Sequence, residues 1–310
     1  MKFEIIKYNN SYKEIWNSFI LTSKNGLFFF DRDFMEYHSD RFKDHSLLIF
    51  KNNKIAAVLP ANESERQIIS HGGLTFGSLI VSYAIKASEV LEIFNEIKKY
   101  YSELSFYEII YKAIPHIFHK YPAEEDLYAL FRSDANLYRR DISSVIDLSH
   151  PIRFSETKRQ LVRKCKENNV IITENTNFEE YWSLLSSVLQ KFDTKPVHTI
   201  EEITLLKEKF PENIRLFEAN KHGRILAGIV IFDFGDTIHT QYMAASSEGR
   251  KAGALDFINH FLLEKFKDRK YYSFGISTEN QGKYLNEGLI QQKENMGARG
   301  IALDFYSIKL

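Results

Sequence analysis

The sequence holds one cysteine, Cys165, and six prolines in 310 residues. A single thiol excludes an internal disulfide framework and leaves a thiolate zinc cage without its ligands. It fits a reducing compartment, and Cys165 itself lies among cations expected to lower its pKa. With so few prolines and only 14 glycines, a linker-dominated or collagen-like chain is excluded. An excess of one charge is also missing, because 41 Lys and Arg balance 41 Asp and Glu. Attraction to nucleic acid or an anionic membrane therefore has to come from a local patch. The apolar run at residues 225–232 is too short to span a bilayer. The first residues carry charges every few positions around no apolar core, unlike a signal peptide. The expectation is a cytoplasmic protein without membrane insertion.

What is present is enough for a sizeable core: 44% of the residues are hydrophobic. The length is about twice the roughly 150 residues typical of one domain. Hydrophobic periodicity predicts a strand over 2–7 and a helix over 12–21, with Ile15, Trp16 and Phe19 on one side. Asp31 caps a short helix toward Ser39. Strands over 45–51 and 54–60 are joined by Asn52-Asn53, a turn pair tolerant of positive φ. A strand over 67–70 ends at Gly72-Gly73, Ser88 caps a helix, and a strand over 106–111, a helical stretch near 124–132 and a strand over 143–148 follow.

The second half repeats this order. A strand over 170–174 and a helix over 178–190 precede a helix over 200–210, whose capping box is Thr199 with Glu202. Strands over 214–219, 225–234 and 237–244 come next. A helix over 251–266, a strand over 271–276, a helix over 283–294 and a strand over 300–308 complete the chain. The repeat predicts an α/β duplication with domains 1–150 and 151–310 and a boundary near Ser149-His150-Pro151. It is a repeat of pattern, with no residue-level repeat.

Several groups could carry chemistry. Arg250-Lys251-Ala252-Gly253-Ala254 follows a strand and opens a helix. A helix start offers unpaired N–H groups and positive dipole to an anion, a glycine lets the anion approach, and two cations add charge. His71 stands at a strand end before Gly72-Gly73, where a side chain reaches a cleft. Lys195-Pro196-Val197-His198 joins two helices, and His198 could take a proton from an amine, its unperturbed pKa being about 6.5. On a helix, Arg159, Arg163 and Lys166 share a face, either solvated or ready for a phosphate. His116 and His119 have a metal-like spacing without a third ligand nearby, so no metal is expected.

The element order resembles the GNAT superfamily of N-acetyltransferases, and Arg250 to Ala254 is similar to its pyrophosphate loop, with Leu255 at the last small position. The run from Phe274 to Arg299 resembles the GNAT strand and helix that border the acyl group. More closely, the chain is similar to the tandem-GNAT branch that holds Fem-type peptidoglycan aminoacyltransferases and surface-polysaccharide acyltransferases. That branch tends to open its second domain with a basic helix, here residues 158–166. Counting back from Gly297, Lys293 stands where many GNAT enzymes have a general-acid tyrosine, as in Fem-type members, while Tyr284 lies earlier in the same predicted helix.

The resemblance implies two tandem GNAT-like domains, each a mixed, mostly antiparallel twisted sheet flanked by helices. The first domain is degenerate and shapes the acceptor site; the second binds acetyl-CoA or another acyl-CoA through Arg250, Lys251, Ala252, Gly253, Ala254, Tyr242 and Asn280. The implied reaction is acyl transfer to an amine, an amino sugar being the acceptor suggested. Its base is His198 or His71, Lys293 or Tyr284 serves the leaving group, and Lys195, Arg159 and Arg163 hold substrate. Two alternatives stay open: aminoacyl transfer from aminoacyl-tRNA to a cell-wall precursor, and a non-catalytic GNAT-like binding module. No nucleic acid is favoured under the first reading.

Overall fold

Apolar residues at helical spacing and alternating runs around Asn-Asn and Gly turns give a mixed chain of strands and helices. The computed structural model describes residues 3–310; Met1 and Lys2, the latter at the start of the strand expected over 2–7, lie outside the described residues. In chain order the larger elements are β1 (Glu4–Lys7), α1 (Lys13–Thr22), α2 (Arg32–Met35), β2 (Lys43–Asp44), β3 (Leu47–Lys51), β4 (Lys54–Leu59), β5 (Asn62–Ser64), β6 (Gln67–Ile69) and β7 (Ile80–Val81). Then come α3 (Ala87–Glu103), β8 (Glu108–Lys112), α4 (Glu125–Arg132), β9 (Asn136–Asp147), α5 (Glu156–Glu167), β10 (Ile171–Asn175), α6 (Glu179–Leu189) and α7 (Ile200–Lys209). The last part holds β11 (Ile214–Lys221), β12 (Arg224–Asp233), β13 (Thr237–Ala245), α8 (Ser247–Ala252), α9 (Ala254–Lys265), β14 (Tyr271–Ile276), β15 (Thr278–Glu279), β16 (Tyr284–Leu285), α10 (Glu287–Glu294) and β17 (Arg299–Lys309).

The chain divides into two units. The first takes residues up to Asp141 together with Asn280–Lys283 and Ala302–Leu310; the second takes Ile142–Glu279 and Tyr284–Ile301. The division thus falls inside β9 rather than near residue 150, because the strand expected over 143–148 begins at Asn136. Residues 302–310 also return to the first unit instead of closing the second.

In the first unit, β1, β3, β4 and β7 form an antiparallel sheet. Asn52 and Asn53, at φ 50° and 61°, make the expected hairpin turn between β3 and β4. The unit's other strands pair β17 with β8, β8 in parallel with β6, β6 with β5, and β5 with β2. Val90, Ile93, Phe94 and Ile97 of α3 pack with Leu47, Ile49, Ile109 and Ile308 in one core. That helix starts at Ala87, one residue before the predicted cap Ser88, because the Lys86 N–H donates to the Glu89 carboxylate at 3.0 Å. Asp31 does cap α2, accepting from the Asp33 N–H at 2.8 Å.

In the second unit the strands run β10-β11-β12-β13-β14, with the second half of β9 beside β14. All of its pairings are antiparallel except β13 with β14. Ile229, Ile231 and Ile238 of the sheet bury against Phe257, Ile258 and Leu262 of α9. Two expectations fail here. The helix expected over 251–266 is two helices, broken where Gly253 turns left-handed at φ +79°. The helix expected over 283–294 starts only at Glu287, so Tyr284 lies in the short strand β16, paired with Glu279.

Candidate functional site

The parallel pairing of β13 with β14 lasts three residues, Thr237–His239 against Tyr271–Ser273. Beyond them the strands part, and among the described residues no strand pairs with that edge of β13 over residues 240–245. Parted strands leave backbone N–H groups facing a gap, the kind of donor that stabilises a carbonyl oxygen gaining negative charge.

β14 itself is bulged against β9 between Ser273 and Ile276, with Gly275 at φ +72°. A bulge turns carbonyls out of the ladder, and Lys293 of α10 collects them. Its Nζ donates to Gly275 O at 3.0 Å, Ile276 O at 2.7 Å and Ser277 Oγ at 2.9 Å. Lys293 is buried, and burial pulls its pKa down to about 8, so it stays largely protonated at neutral pH. His239 of β13 lies against the same bulge, its Nδ1 3.1 Å from Ser273 Oγ. Burial first, and the Lys293 charge second, pull His239 down to about 4 and keep it neutral. A Cβ on Gly275 would stand 3.3 Å from His239 Cε1, so glycine is what lets ring and bulge meet. His239, Ser273, Gly275 and Ser277 are absent from the predicted site residues; the usable signal is a glycine inside a strand pattern, which marks a bulge or close approach.

Three residues further along β13, roughly 10 Å up the strand, Tyr242 meets His198. Its Oη accepts the His198 backbone N–H at 3.3 Å and lies 2.6 Å from His198 Nδ1. Burial raises the phenol to about 12, so it keeps its proton. The arrangement that serves both contacts has the phenol donating to Nδ1 and the ring hydrogen on Nε2. Trp182 Nε1 donates to His198 O at 3.3 Å. His198 and Lys195 line one cavity of about 640 Å³ between α6 and α7. Tyr242, expected beside a coenzyme, has His198 as its hydrogen-bond partner.

In the expected diphosphate cradle the side chains contact their own surroundings. Arg250 folds back, donating to Ala245 O at 3.0 Å and Ser247 Oγ at 3.2 Å. A Cβ on Gly253 would stand 2.5 Å from Leu161 Cβ, so the glycine is what lets α5 come close. Asp256, in the first turn of α9, pairs with Lys158 of α5 at 2.6 Å and already supplies the negative charge that this helix start favours. Ala254 is fully buried, and Ala252 O accepts from Cys165 Sγ at 3.2 Å. Burial lifts Cys165 to about 11, against the lowering expected from nearby cations. Lys251 faces a separate cavity of about 220 Å³ with Lys164 and Lys221.

Other expected residues are scattered. Tyr284 is exposed, and Asn280 sits exposed in a turn at φ +49°. Arg159 and Arg163 line a third cavity, between α5 and α9. His71, in the first unit, is buried at φ +52° against His38 and Phe42. Burial holds its pKa well below the ordinary histidine value and so disfavours the charged ring. The glycine-rich loop after it is stitched to β8 through Gly77 N–H to Lys112 O, 2.9 Å, and Lys112 Nζ to Leu74 O. Among the described residues no three His, Cys, Asp or Glu side chains gather as a metal site, and no helix is long and apolar enough to cross a membrane.

A splayed parallel pair at the centre of a mostly antiparallel sheet, followed by a broken helix, now stands beside known folds. No protein-family model matches the chain. An uncharacterised protein of Mycoplasma pneumoniae is 25% identical over 139 residues, which are 42% of this chain and 54% of that protein. The chain thus matches about half the length of that relative. Among solved structures, FemX superposes with a TM-score of 0.70 at 10% identity, covering 99% of this chain and 97% of its own. L-PGS from Bacillus licheniformis gives 0.64 at 11%, covering 97% and 92%. A tandem GNAT protein from the clavulanic acid biosynthesis pathway gives 0.52 at 8%, covering 99% and 98%. The fold is tandem-GNAT-like. Within that fold, the parted strands β13 and β14 and the buried Lys293 form the candidate centre.

Proposed function

We propose that this tandem-GNAT-like chain is an acyl-group transferase of the aminoacyl type. The donor is an ester of the aminoacyl-tRNA kind, and the acceptor is an amine. One observation carries the choice of donor: Leu161 lies against Gly253 and Lys158 pairs with Asp256 at the start of α9, the place the coenzyme reading gives to a diphosphate. Lys293 at the Fem-type position, buried and protonated, supports the same reading.

In the reaction a neutral amine attacks the ester carbonyl, a C–N bond forms and the C–O bond to the donor breaks. The carbonyl oxygen gains negative charge in the gap beside β13, where main-chain N–H groups of residues 240–245 and the Lys293 charge stabilise it. The ammonium proton passes to His198, whose Nδ1 becomes available once Tyr242 swings its proton away. His198 then hands that proton to the departing alkoxide, which leaves as the donor's free hydroxyl. Lys195, exposed on the rim of the His198 cavity, meets an acceptor that carries negative charge.

A second reading keeps acyl-CoA as donor. It is favoured by Lys164, Lys221 and Lys251 converging on one small cavity beside the helix break. Calorimetry separates the two. Acetyl-CoA at millimolar concentration is expected to give no saturable heat, and transfer of labelled amino acid from charged tRNA is expected to stop after RNase treatment. Saturable acetyl-CoA binding that Lys251→Ala or Arg250→Ala abolishes would overturn the proposal in favour of acyl-CoA.

A further inference from the structure

Besides the lysines near the helix break, positive charge gathers at a second place in this balanced chain. The cavity between α5 and α9, about 530 Å³, has Arg153, Arg159, Arg163, Lys166 and Lys267 among its lining residues against a single acid, Glu264. Behind these cations the walls are apolar: Leu148, Ile152, Phe154, Val162 and Leu263. Its size lies within the range of small-ligand sites. His260, the remaining titratable group of the lining, is kept neutral, because burial lowers its pKa and the Lys166 charge adds to that.

Two features make this more than a solvated basic helix. Glu156 pairs with Arg159 at 2.5 Å and Arg163 at 2.8 Å, so the two guanidinium groups stand side by side around one carboxylate, which a phosphate displaces to take the same two partners. Beside that pair the apolar wall opens to water, with Ile152 47% exposed. Apolar surface rimmed by cations is complementary to a molecule with an anionic head and a hydrocarbon chain.

We infer that this cavity seats a phosphate-headed lipid of an anionic bilayer, the chain against Ile152, Phe154 and Leu263 and the headgroup on Arg159 and Arg163. The protein then rests on the membrane surface without crossing it. This contact is separate from the transfer centre on β13 and stands whichever donor that centre uses. RNA would use the cations but not the apolar wall, so a bilayer lipid is the better fit.

The test is sedimentation of the full-length protein with vesicles of phosphatidylcholine alone or with a third of phosphatidylglycerol. Binding to the anionic vesicles only is expected. The double variant Arg159→Glu/Arg163→Glu should weaken it roughly tenfold or more. Ile152→Asp should also weaken it, while leaving most of the rim charge in place. These side chains are 46%, 60% and 47% exposed, so the variants should keep the wild-type melting profile, which is checked alongside. Equal binding to neutral vesicles, or no loss in the double variant, overturns the assignment. An unaffected Ile152→Asp reduces the contact to bare electrostatics and overturns the cavity. Release from anionic vesicles by inorganic phosphate or by tRNA at low concentration would reassign the cations to a soluble anion or to RNA.

Discussion

Each unit buries a lysine beneath a backbone that departs from regular pairing, and the two lysines are served differently. In the first unit, Lys112 Nζ donates to a single carbonyl, that of Leu74, beneath the glycine-rich loop. In the second, Lys293 has three acceptors on the β14 bulge. Burial lowers both, Lys112 to about 7, where the Arg139 charge adds to the effect, and Lys293 to about 8. A buried ammonium is tolerated to the extent that its protons find oxygens. The better-served lysine keeps its charge at neutral pH, and it is the one beside the gap where charge is useful.

The largest test of this contrast is removal of each amine. Lys293→Met leaves three acceptors inside without a donor and should cost roughly 3 kcal/mol in urea unfolding. Lys112→Met leaves one and should cost about 1 kcal/mol. Equal losses would show that acceptor number does not set the difference. A smaller effect is in the pH dependence. Each lysine has a folded pKa below its ordinary value of 10.5, so the unfolded chain binds more protons between the two values. Stability contributed through that lysine therefore rises with pH, from about 7 for Lys112 and about 8 for Lys293, up to about 10.5. Unfolding free energies of wild type minus each Met variant should show that rise, starting earlier for Lys112; a flat or falling difference would refute the shifts. Smallest is Gly275→Ala, where a left-handed φ and a 3.3 Å approach to His239 should together cost about 1 kcal/mol, read from the melting temperature.

Much of the fold was legible because local rules and packing agree. The Asn52-Asn53 turn, the Asp31 cap and the Thr199–Glu202 box appear where the sequence pattern puts them. Local signals failed where a partner distant in sequence decides. Nothing between Ser247 and Lys265 announces that Leu161 lies against Gly253, so the helix break there was not legible. His71 looked accessible at a strand end, but His38 and Phe42, more than twenty-five residues earlier, bury it. Lys293 could be found only by counting back from Gly297, and what it holds became visible only with the bulge. His198 was legible as a residue between two helices, whereas its Tyr242 partner, forty-four positions on, was not.

The return of residues 302–310 to the first unit bears on biosynthesis. β17 lies beside β8, and Ile308 fills the core under α3. A ribosome delivers the early part of this unit first, but β8 keeps an open edge until those late residues emerge. The amino-terminal half therefore finishes folding only after nearly all of the other half has been made, and a nascent chain stalled before residue 302 would present a bare strand to its neighbours.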